Sequence, residues 1–149
     1  MINMIMVAVD FSDYSLAAAK YAARLAKDVG SNLLLTHVIN QRDVYMMDKV
    51  ALRVPEFTAE QYFNENMQYR RERINDLAKK IMSSDIDVET NVRIGVPFKA
   101  LLEEIKEKKP DLLVMGTKGR SNVVDMIIGS CAQKMFRHSP IPLLSIREN

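Results

Sequence analysis

The chain has 149 residues, 48% of them hydrophobic and 27% charged, with a net charge of +2. That is enough chain to bury a sizeable core, and the near-balanced charge gives no electrostatic case for a nucleic-acid or membrane partner. The lone cysteine, Cys131, excludes an internal disulfide framework and fits a reducing compartment.

Met1 to Val9 is apolar, but it has no basic start and meets Asp10 too soon for a signal peptide or a membrane span. A cytoplasmic location is therefore expected. Ile5 to Val9 reads as a first strand ending at Asp10. Ser12 or Asp13 can cap the helix that follows, Leu16, Ala19, Ala22, Ala23 and Ala26 give it an apolar face, and Gly30 is placed to end it. Asn32 to Ile39 reads as a second, buried strand, within which His37 is expected to be a satisfied core histidine.

Residues 40–56 show no clear periodicity and read as a long connection, either functional or a surface excursion whose methionines patch the core edge. Thr58-Ala59-Glu60-Gln61 matches a capping box at the head of a long helix that ends near Ser83-Ser84. Its Arg70-Arg71-Glu72-Arg73 cluster is expected to be a solvated face. Ile86 to Ile94 alternates apolar and polar residues as a third strand. Gly95-Val96-Pro97 turns into a helix with Phe98, Leu101, Leu102 and Ile105 inward. Leu112 to Met115 forms a fourth strand, a helix is expected from about Ser130 to Arg137, and Ile141 to Ile146 closes the chain as a fifth strand.

This β-α-β-α-β-α-β-α-β order predicts one doubly wound, Rossmann-like α/β domain, a five-stranded parallel sheet with helices on both faces. In such sheets ligands bind at the carboxyl ends of strands, where the strand order reverses. With order 3-2-1-4-5, Asp10 and Gly116 flank that point. Gly116 and Gly119, beside Lys118 and Arg120, can bring bare backbone close to a ligand, and Gly129-Ser130 at a helix start aims amides at an anion. Together they suggest a phosphate cradle. Asp10 can serve a ligand or simply cap the next helix. Lys118 and Arg120 can neutralise phosphates or remain solvated. Cys131 reads as a small buried residue rather than a reactive thiol.

Val9-Asp10-Phe11-Ser12, His37-Val38 and the run Gly116-x2-Gly119-x9-Gly129-Ser130 resemble the universal stress proteins, specifically their ATP-binding branch, over essentially all 149 residues. The resemblance implies that Asp10 accepts hydrogen bonds from ribose hydroxyls and that the Val38 backbone reads the adenine edge. Ala8 and Met115 would line the base and sugar pocket. Gly116 and Gly119 would wrap the nucleotide, and Gly129, Ser130 and the amides of Cys131 and Ala132 would hold phosphates. Many ATP-binding members carry a second hydroxyl residue where this chain has Cys131.

The implied ligand is ATP, with AMP or ADP as alternatives and Mg²⁺ accompanying the phosphates rather than held in a protein cage. The implied assembly is a homodimer through the last strand, Leu143-Leu144-Ser145-Ile146. A nucleotide-sensing stress-response module is the leading expectation. A slow ATPase is the first alternative, although the sequence has neither a P-loop nor a Ser-Gly-Gly-x-Asp loop. A nucleotide-free dimeric interaction protein is the second.

Overall fold

A computed structural model describes residues 1–53, 58–118 and 129–147. Five strands form a parallel sheet in the order β3-β2-β1-β4-β5: β1 (Met4–Ala8), β2 (Asn32–Asn40), β3 (Val88–Gly95), β4 (Leu112–Gly116) and β5 (Leu143–Ile146). The described helices are α1 (Asp13–Val29), α2 (Gln41–Ala51), α3 (Ala59–Ile81), α4 (Pro97–Lys108) and α5 (Ser130–His138). The expected strand order and layering are those of the molecule.

Period-2 side-chain alternation divides the core in two. Ile5, Val7, Leu33, Leu35 and Val114 point to the face covered by α1 and α3, where Ala18, Ala19, Ala22 and Ala26 let α1 lie close to the sheet. Met6, Leu34, Leu113 and Met115 point the other way, onto Leu101 and Ile105 of α4 and Ala132 and Met135 of α5. With both faces covered, β1 and β4 read as unbroken apolar runs, as central parallel strands do.

Local chemistry sets the helix ends. Ser12 caps α1 by accepting the Ser15 amide at 3.2 Å, and Gly30 ends it with φ 71°. Pro97 opens α4, and Lys109 closes it in the left-handed region. Asp111, at the entry to β4, accepts the Asn3 and Met4 amides at 2.8 and 3.1 Å, fastening the start of β1 to its neighbour.

Three expectations are corrected. Most of the stretch 40–56 is helix: Asn40 caps α2 by accepting the Arg42 amide at 3.1 Å. Val44, Met47 and Ala51 give α2 a half-buried side, but none of its residues is fully buried, and the exposed Tyr45, Met46 and Val50 blur its period. Residues 54–57 lie outside the described residues. The capping box is not made either, because the Thr58 hydroxyl donates to Gln61 Oε1 at 2.7 Å and the Thr58 side chain caps no amide. Nor is the arginine cluster a uniformly solvated face. Arg70 and Arg73 fold back, half-buried, toward the ends of β1 and β2, while Arg71 and Glu72 stay exposed.

Candidate nucleotide cleft

A cleft of about 300 Å³ opens at the carboxyl ends of β1, β2 and β4, where the strand order reverses. Nine of the expected site residues line it: Ala8, Asp10, Val38, Met115, Gly116, Gly129, Ser130, Cys131 and Ala132. Gly119 lies outside the described residues, as does Arg120. The structure also brings in residues beyond that set. Ser15, Thr36 and His37 come from the sheet and α1; Asn40 and Asp43 stand at the head of α2; Arg70 comes from α3. Pro97 and Leu101 of α4 complete one wall, and Lys118 stands beyond β4.

Asp10 sits in a tight hydrogen-bonded corner. Its Oδ1 accepts the Ser12 amide at 2.9 Å, and its own amide donates to Ser15 Oγ at 3.2 Å. Asp10 does not cap α1, whose cap is Ser12; one of its carboxylate oxygens steadies the turn that leads into the helix, and the residue lines the cleft.

Gly116 has a reason the sequence did not disclose. A Cβ there would stand 2.7 Å from Tyr14 Cβ and 2.9 Å from the Tyr14 carbonyl carbon. The glycine lets the first turn of α1 rest directly on the end of β4, whether or not a ligand is near. Beyond it, the Gly129 amide donates to the Thr117 carbonyl at 2.7 Å and brings the start of α5 back to β4. Gly129 has no side chain with which to cap α5. The first turn, Ser130 to Ala132, thus faces the cleft with the amides that helix geometry leaves unbonded.

His37 is buried, and its tautomer follows from its partners. The Val9 carbonyl can only accept, so Nδ1 donates to it at 2.7 Å; Arg70 Nη1 can only donate, so Nε2 accepts from it at 3.0 Å. Arg70 Nε also donates to Asn66 Oδ1 at 3.2 Å. The expected satisfied histidine is therefore also a cleft wall that holds an arginine. His37 and Arg70 stand 33 residues apart, beyond the reach of any spacing rule.

Burial pushes the Cys131 thiol up to about 11, with the Asp10 charge adding to the shift and Lys134 opposing it. The group is a poor nucleophile there and, as a neutral thiol, a small half-buried wall. Thr36 Oγ1, also on the cleft, is buried with no hydrogen-bond partner among the described residues. Buried hydroxyls are seldom left so, and the cleft is the open direction for a partner.

The universal stress protein family model matches residues 1–147. The chain belongs to that family. The universal stress protein YxiE of Bacillus subtilis is 30% identical over 148 residues, 99% of this chain and 100% of the relative. Among solved structures, protein MJ0577 superposes with a TM-score of 0.84 at 18% identity, covering 100% of this chain and 98% of the other. A universal stress protein in complex with cAMP superposes with a TM-score of 0.68 at 25% identity, covering 98% and 97% of the two chains. No described helix of this universal stress protein is long and apolar enough to cross a membrane.

Proposed function

We propose that this universal stress protein binds an adenine nucleotide, ATP foremost, in the cleft between β1 and β4, and serves as a nucleotide-sensing module rather than an enzyme. The supporting observation is one continuous cleft with different chemistry along its length. Ala8, Val38, Met115 and Leu101 supply apolar walls for a base and sugar, Asp10 an acceptor for ribose hydroxyls, and the uncapped first turn of α5 donors for phosphates. The Thr36 hydroxyl, without a hydrogen-bond partner among the described residues, is consistent with a polar ligand there. The related structure that carries cAMP supports the adenine assignment.

Magnesium would arrive on the phosphates and neutralise their charge. Among the described residues no group of three or more His, Cys, Asp or Glu side chains could form a cage for it. In this reading the protein works in the cytoplasm as a homodimer through β5, a short edge strand whose Leu143, Leu144 and Ile146 are only half-buried.

The test is calorimetric titration of nucleotide-stripped protein with ATP and Mg²⁺, followed by chromatography for ADP. Binding without ADP supports the module, and steady ADP release replaces it with the slow ATPase. No binding at millimolar ATP leaves the nucleotide-free interaction protein. Gly129→Val should abolish binding while circular dichroism stays unchanged, and unaltered affinity would remove α5 from the phosphate role.

A further inference from the structure

Phe11 adopts φ 64°, the left-handed region that a bulky side chain rarely occupies. Three contacts hold it there. Its ring lies against buried His37, with centroids 4.6 Å apart at 44°. The Arg73 guanidinium lies over the same ring, with its carbon 4.3 Å from the centroid. Around its backbone, Asp10 Oδ1 accepts the Ser12 amide at 2.9 Å, closing a turn in which Phe11 is the central residue. His37 is itself fixed by the Val9 carbonyl and by Arg70, so the sandwich is anchored to both the sheet and α3.

We infer that Phe11 is a positioning residue for Asp10: the His37–Phe11–Arg73 sandwich enforces a left-handed turn that aims the Asp10 carboxylate into the nucleotide cleft. With one carboxylate oxygen committed to the Ser12 amide, the direction of the other follows from the turn. If φ at residue 11 turned negative, the Asp10 side chain would swing relative to the cleft without any change in its chemistry. The inference rests on the adenine-nucleotide reading, in which Asp10 faces ribose hydroxyls.

The experiment compares ATP with 2′,3′-dideoxy-ATP, both with Mg²⁺, by calorimetry on the full chain. Wild type should prefer ATP by about tenfold or more, the scale of a hydrogen bond to a charged acceptor. Asp10→Ala should erase that preference. Phe11→Ala, which loses the ring and disfavours the left-handed turn, should erase most of it while changing dideoxy-ATP affinity less than about twofold. Phe11→Gly loses the same ring contacts but adopts the turn freely, so it should recover most of the preference. Arg73→Met removes half of the sandwich from the helix side and should lower the preference with little risk to the fold. A wild-type protein that does not discriminate overturns the ribose role of Asp10 and this inference with it. Discrimination in wild type that survives both Phe11→Ala and Arg73→Met overturns the inference alone. So does an equal loss in Phe11→Ala and Phe11→Gly, which would mean that ring packing matters and backbone direction does not.

Discussion

Tyr14 decides what can stand at position 116. An added Cβ would approach both its side chain and its backbone, and the backbone of a helix's first turn does not yield as a flexible side chain would. Gly116→Ala should therefore cost about 1–3 kcal/mol, the usual range for overpacking, read as a lower urea midpoint. A midpoint within error of wild type would mean that α1 shifts freely. Cys131 carries a second residue-scale prediction. With its thiol raised to about 11 from an ordinary 9.0, the thiolate at pH 8 is about a hundred times scarcer than in a free cysteine. Alkylation at pH 8 should be slower by about that factor. Because the folded pKa is raised, stability should be flat below pH 9 and fall as pH climbs toward 11. Fast labelling at pH 8 would contradict the burial. At this scale the sequence was partly legible: Asp10 and Gly129-Ser130 announce themselves by position, whereas Arg70, Thr36 and Asp43 reach the cleft only through tertiary folding.

Elements are legible where burial imposes a period. The strands and α1, α4 and α5 have covered faces, and the residues that cover them recur at the expected intervals. α2 escaped notice because its packed side, Val44, Met47 and Ala51, is only half-buried, and the exposed Tyr45, Met46 and Val50 dilute the pattern. Its N-cap, Asn40, was the available signal, standing directly after an apolar strand. α4 illustrates the opposite case, a buried charge on an otherwise regular helix. Glu104 is wholly buried, takes Asn91 Nδ2 on its two oxygens at 2.9 and 3.0 Å, and pairs with Arg93 of the edge strand β3. Glu104→Ala should destabilise by about 2 kcal/mol, because Asn91 and Arg93 lose a charged partner while Arg93 keeps Glu103 and Glu107 near the surface. Chemical denaturation measures it; a neutral result would mean that the pair contributes nothing beyond a well-packed apolar contact.

On the scale of the molecule, the strand order and layering were readable because alternating strand and helix signals leave few allowed topologies for a parallel sheet. Assembly is a different matter, since an edge strand records only that something could pair with it. If β5 is the homodimer seam, Leu144→Glu should yield a monomer by sedimentation with its circular dichroism unchanged. An undiminished mass would move the seam elsewhere.

The order β3-β2-β1-β4-β5 also means that the chain's second half clasps its first: β3 closes one side of the β1–β2 pair, and β4 with β5 closes the other. The cleft takes Asp10, His37 and Arg70 from before the bend at Ser83–Ile86, and Met115, Ser130 and Ala132 from after it. A chain severed at that bend would leave two fragments, each with an incomplete sheet and only half of the ligand contacts. If the cleft holds a nucleotide as proposed, adding it to the mixed fragments would act as the clasp's pin, making reassembly itself a report of ligand concentration.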